Sequence, residues 1–96
     1  MRRYEVMYIL QPTLSAEEQT ALVDRFNDLI SSMGGTVEST DRWERQALAY
    51  RIHGCREGNY VVVKFEGNPE LETEMDRQMK LTEPILRHMI VRRDEK

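Results

Sequence analysis

Cysteine is almost absent from this chain: Cys55 stands alone among 96 residues. No internal disulfide, Cys-x-x-Cys metal pair or cysteine-held iron–sulfur cluster can be built from it. Histidine is nearly as scarce, and neither His53 nor His88 has a cysteine or a pair of acids at ligand spacing. No metal and no cofactor is therefore expected, and His88 reads as a satisfied core or edge residue. No glycine-rich phosphate loop occurs, because Gly34 and Gly35 follow a helical pattern and read as its cap. Cys55 lacks a histidine with an orienting partner, so no enzyme is expected. A run of about 18 apolar residues is missing too, and no apolar segment follows Met1, Arg2 and Arg3. Neither a membrane span nor a secretory leader is expected, and a cytoplasmic home fits.

What remains is a clearly patterned chain. Its apolar fraction of 40% suits one core, in a single domain spanning residues 1–96. Tyr4, Val6, Tyr8 and Leu10 alternate with Glu5, Met7 and Ile9 in a strand over 3–10 that stops at Pro12. Ser15 and Glu18 form a capping box, and Leu22, Phe26, Leu29, Ile30 and Met33 follow at helical spacing. Residues 36–52 lose that period. Leu48, Tyr50 and Ile52 alternate with Ala47, Ala49 and Arg51, which predicts a strand, and its length predicts a bend or bulge within 41–45. Residues 53–59, with Gly54 and Gly58, read as a hairpin loop before a third strand over 60–65. Asn68 and Pro69 open a second helix with Leu71, Met75 and Met79 on one face, and Pro84 ends it. Residues 85–93 make the last strand, followed by a short polar tail.

The order β-α-β-β-α-β predicts an α+β, ferredoxin-like sandwich: a four-stranded antiparallel sheet in order 4-1-3-2 with two helices on one face. The net charge is −3, and acids fill the helical segments, whereas Arg2, Arg3, Arg87, Arg92 and Arg93 lie near the chain ends. Antiparallel pairing of the first and last strands would collect Arg2, Arg3, Arg92 and Arg93 at one sheet corner, where planar guanidinium forks suit phosphate. Simple solvation of terminal arginines is the alternative. With Tyr4, Val6, Tyr8 and Leu10 turned to the core, the bare sheet face would hold Met7, Ile9, Tyr60, Val62, Met89 and Val91. Such an apolar patch marks a partner surface, with ordinary surface hydrophobics or a strand misread by one register as the alternative. Trp43 is either an anchor for the bend or an RNA-stacking residue, and the anchor is the favoured reading.

These residues carry a resemblance. Met1 through Leu10 with Pro12, then Trp43, Arg45, Leu48, Ala49, Tyr50 and Ile52 with Gly58 and Tyr60 beyond, and finally Ile85 through Arg92 resemble the bacterial small-subunit ribosomal protein family number six. The likeness spans residues 1 to about 93, with departures at Glu44, Gln46 and Arg51. It implies a non-catalytic constituent of the small ribosomal subunit, ribosome-associated in the cytoplasm. It also implies binding to the central domain of 16S ribosomal RNA together with the small-subunit ribosomal protein numbered eighteen. Carried over, Arg2, Arg3, Arg87, Arg92 and Arg93 become RNA or partner contacts, followed by Arg45, Tyr50 and Arg56.

Two other readings share the fold. Residues 58–65 resemble the third-strand motif of a single-strand RNA-binding module, but no aromatic pair is expected on the exposed face to stack bases. An acylphosphatase-like enzyme would need an arginine after the first strand, where Gln11, Pro12, Thr13 and Leu14 stand.

Overall fold

A computed structural model describes residues 1–93, and the expected polar tail lies outside the described residues. The elements are β1 (Arg2–Leu10), α1 (Ala16–Ser32), β2 (Thr36–Ile52), β3 (Cys55–Gly67), α2 (Pro69–Lys80) and β4 (Ile85–Arg92). The sheet runs β2-β3-β1-β4, the expected order, with every neighbouring pair antiparallel. β1 pairs along its length with β3, from Arg2 opposite Gly67 to Leu10 opposite Asn59. On its other edge it pairs with β4, from Tyr4 opposite Arg92 to Ile9 opposite Arg87.

Local chemistry fixes the helix ends. Ser15 Oγ accepts from the Glu18 amide at 3.1 Å and the Glu18 carboxylate accepts from the Ser15 amide at 2.9 Å, which satisfies two otherwise orphaned donors. At the other end of α1, Gly34 takes φ +83°, and the amides of Gly34 and Gly35 reach back to Ser31 and Ile30 carbonyls at 3.1 and 2.8 Å. That left-handed residue is what glycine permits at a helix terminus. α2 begins at Pro69 as expected, but the Asn68 side chain makes no capping bond. Its backbone carbonyl accepts instead from Leu71 and Glu72. Pro69 has no amide to cap, so the start needs less from a side chain.

The β2–β3 hairpin corrects the expected loop over 53–59. The strands close through His53 and Gly54 alone, both at positive φ (+49° and +80°), with Ile52 opposite Cys55. A two-residue turn of this hand matches the twist of the strands it joins. Gly58 therefore lies inside β3, where a Cβ would overlap Ile9 and stand 3.2 Å from the Leu10 carbonyl. It permits close approach of β3 to β1 and marks no turn.

The core forms where the even residues of β1 meet both helices. Tyr4, Val6, Tyr8 and Leu10 pack with Val61, Val63 and Phe65 of β3, with Val23, Phe26 and Ile30 of α1, and with Leu71, Met75 and Met79 of α2. Tyr4 stacks on Phe65 at 5.4 Å and Tyr8 tilts against Phe26 at 5.8 Å. Both tyrosine hydroxyls are buried without a hydrogen-bond partner among the described residues, and burial drives the Tyr8 phenol pKa upward. Half-buried His88 braces β4 to α2, its Nε2 lying 2.7 Å from Asp76, which also binds Lys80 at 2.9 Å. Those two bonds, the one from His88 foremost, hold the Asp76 carboxyl below its usual range. Glu74 accepts from Arg77 and Gln78 and is drawn down from 4.5 to about 2.

Two outcomes follow. Tyr4→Phe and Tyr8→Phe each leave stability unchanged or raise it by about 1 kcal/mol, because an orphaned buried hydroxyl is removed without a cavity. Met75→Ala loses about 2–5 kcal/mol, and urea denaturation separates the two classes. Stability also has an acid limb. A carboxyl whose folded pKa lies below its unfolded one stabilises the fold above the unfolded value and loses that contribution as protons bind. The urea midpoint therefore falls as pH drops from about 4.5 to about 2, and Glu74→Gln makes that fall shallower.

Candidate nucleic-acid interface

Pairing of β1 with β4 brings both chain ends to one corner. The Arg93 amide donates to the Arg3 carbonyl at 2.7 Å, which extends the ladder one rung past β4. Strand alternation then divides the four arginines. Arg92 stands opposite Tyr4 on the helix side, with exposed Arg2 one rung further out on that side. Arg3 and Arg93 stand on the bare face. They meet Glu38 there, a partner not expected from the sequence, whose carboxylate accepts from Arg93 Nη2 at 2.7 Å and lies 3.5 Å from Arg3 Nε. The hydrogen bond from Arg93, and secondarily that from Arg3, holds the Glu38 carboxyl below its ordinary range. Arg93 Nε also donates to the Tyr4 carbonyl at 3.1 Å. Arg3 and Arg93 are thus tied into the corner. The Arg2 side chain makes no ion pair or hydrogen bond among the described residues and is open to an outside anion. The strand order, which puts the start of β2 two strands from Arg3, was the available signal for Glu38.

The bare face is real, but only half of it is bare. Arg87, Met89 and Val91 point away from the helices, as expected, and Met89 and Val91 are 54% and 42% exposed. Met7, Val62 and Tyr60 are half-buried beside them. Ile9 departs from the expected exposed patch: it is only 4% exposed. The cause is the far end of the β2–β3 hairpin, which curls over the sheet. Leu48, Tyr50 and Ile52 close with Met7, Ile9, Tyr60, Arg87 and Met89 around a pocket of about 240 Å³. Arg87 bonds the Tyr50 hydroxyl and lies over its ring, 5.8 Å from the centroid. Alternation identified Leu48 and Ile52 as strand residues but could not say which face they would cover.

A bulge generates the curl. Pairing shifts between Trp43 opposite Tyr60 and Gln46 opposite Gly58, within reach of the expected bend. Arg45 takes φ +50°, unusual for a residue with a side chain. Its amide donates to Oδ1 of buried Asn59 at 2.8 Å and its guanidinium pairs with Glu57 at 2.9 Å. Arg45 is therefore spoken for locally. Arg56, near the hairpin tip, is exposed. Among the described residues no three of His, Cys, Asp or Glu converge as metal ligands, and no helix is long and apolar enough to cross a membrane.

Comparison with known proteins agrees with this arrangement. The family model for Ribosomal protein S6 matches residues 3–92. The small ribosomal subunit protein bS6 of Desulforamulus reducens is 42% identical over 95 residues, covering 99% of this chain and all of that one. Its counterpart in Desulforudis audaxviator is 45% identical over 94 residues, covering 98% and 100%. The crystal structure of 30S ribosomal protein S6 from Thermotoga maritima superposes with a TM-score of 0.91 at 30% identity, covering 96% of this chain and 87% of that one. A full-length match in sequence, strand order and core makes the chain a member of the ribosomal protein S6 family, structural and non-enzymatic proteins of the small ribosomal subunit.

Proposed function

We propose that the protein, acting as one domain in the cytoplasmic ribosome, secures a folded junction in the central domain of 16S ribosomal RNA jointly with small-subunit ribosomal protein eighteen. The observation that carries this reading is the β1–β4 corner: a protein of net charge −3 gathers arginines from both chain ends in one place. Arg2 and Arg92 on the helix side of that corner meet backbone phosphates, and Arg56 at the hairpin tip reaches a further one. Arg3 and Arg93, held by Glu38, keep the corner in shape. Arg87 is positioned by Tyr50 and Arg45 by Glu57, so both serve the geometry of the hairpin before any partner arrives. The strip of Met7, Val62, Met89 and Val91 docks the partner protein. Because these groups are preformed, binding orders little of the chain, and the RNA is read through its shape and backbone.

Engagement of about three phosphates gives a plot of log affinity against log salt with a slope of about −2 to −3. Arg2→Ala and Arg92→Ala each make that slope shallower by about 0.7–0.9 and weaken binding to all junction sequences alike. Filter binding of a central-domain transcript across a salt series measures both, and a salt-independent affinity defeats the proposal. Met89→Asp places a charge on the exposed apolar strip without touching the core. Association with the partner protein then falls at least about tenfold, the 1.4 kcal/mol scale of one desolvated charge contact, while the slope for RNA is retained. Calorimetric titration that finds unchanged partner affinity assigns the protein interface elsewhere.

A further inference from the structure

Trp43 stands out because the fold exposes it at a structural cost. It is the only tryptophan in the chain, yet it is 47% exposed and anchors no core. Alternation settles its side. Arg42, one residue earlier, reaches Thr20 of α1, so Trp43 faces away from the helices, directly opposite Tyr60. The exposed face thus carries the cross-strand aromatic pair that the sequence reading denied it. An open hollow lies against this pair, lined by Trp43, Tyr60, Gln46 and Ala47: two aromatic residues, an amide and a methyl, with no carboxylate. Gln46 Nε2 donates to the Glu44 carbonyl at 2.8 Å, which fixes the amide at the rim. The adjoining bulge is held by strained Arg45 and by Asn59, a buried side chain whose oxygen serves the Arg45 amide. Bulges re-aim side chains, and a left-handed non-glycine residue persists only where its surroundings enforce it.

We propose that Trp43 and Tyr60 form a stacking platform for one unpaired base of the bound RNA, with the Gln46 amide against the base edge. The inference rests on the RNA-binding reading above and adds a base contact on the bare face to RNA contacts otherwise made to phosphates from the helix side. A planar aromatic ligand suits the site better than a protein side chain. Apolar anchors seek enclosure, and the more enclosed, more apolar pocket lies on the other flank of Tyr60, beside Leu48 and Ile52. An open hollow bordered by two aromatic residues, with no negative group in its lining, accepts a nucleobase without repelling its phosphate. Stacking of a base on an aromatic side chain tolerates any sequence, because every base has a π-face.

The test uses the full chain with its partner protein and a central-domain transcript of 16S ribosomal RNA. Emission from Trp43 is isolated by subtracting that of Trp43→Phe. RNA is expected to quench it by about half or more, whereas the partner protein alone leaves it largely unchanged. Trp43→Ala weakens RNA binding by about 5- to 100-fold, the range of one lost stack, with no change in salt slope because no charge is removed. Trp43→Phe stays within about fivefold of the parent. Tyr60→Leu, which keeps apolar bulk beside the pocket, weakens binding in the same direction and guards against misfolding of the alanine variant. Unquenched emission with parental affinity in Trp43→Ala and Tyr60→Leu overturns the platform and leaves the arginine corner standing. Quenching by the partner protein with none added by RNA assigns the hollow to protein and likewise overturns it. Absence of RNA binding by the parent chain overturns the function proposed above, and the platform with it.

Discussion

The antiparallel pairing of β1 with β4 is the constraint from which the rest of the molecule follows. It makes β1 an interior strand, hydrogen-bonded on both edges, so its register is fixed twice over. A slip of one residue would turn Tyr4, Val6, Tyr8 and Leu10 out of the core and Glu5 into it. The same pairing sets Arg92 across from Tyr4 and draws the Arg93 amide onto the Arg3 carbonyl. Core, charged corner and apolar strip are therefore one geometric decision seen from three sides.

Charge is managed locally on this protein rather than by its total. Glu38 restrains two of the four corner arginines, Glu57 restrains Arg45, and Asp76 ties His88 of β4 to α2 while pairing with Lys80 within the helix. Exposed ion pairs of this kind contribute little to stability, commonly less than about 1 kcal/mol each. Their consequence is positional. An arginine already held at one end presents its remaining donors in a fixed direction, and less side-chain freedom is lost when an anion binds. The distinction between Arg2, which is open, and Arg3, which is clamped, arises from a single step along a pleated strand.

The β2–β3 hairpin divides the bare sheet face into two unlike regions. Beyond the bulge it folds down over Ile9 and is latched by Tyr50 and Arg87. Before the bulge it leaves Met7, Val62, Met89 and Val91 uncovered and sets Trp43 beside Tyr60. A straight hairpin of this length would present a long regular edge open to pairing with other chains, and a bulged, twisted one does not. Arg45 at φ +50°, with Asn59 buried to receive its amide, is the local strain that the arrangement requires.

Much of this was written in the sequence. The capping box at Ser15, the Gly34 terminus, the alternation of β1 and the spacing of Leu71, Met75 and Met79 are local patterns, and local patterns determine element type and inward face. They sufficed for the strand order, for the gathering of Arg2 and Arg92, and for the family. The places where reading the chain failed all involve a neighbour distant in sequence. Gly58 looks like a turn residue until Ile9 is placed against it. Ile9 looks exposed until the hairpin curls over it. Glu38 looks like one acid among many until the sheet leaves only one strand, β3, between it and Arg3 of β1, and Trp43 looks like an anchor until its partner across the ladder is Tyr60. Periodicity reports the environment of a residue relative to its own element. What one element brings to another, such as a countercharge, a covering side chain or a facing ring, is settled only when the sheet closes.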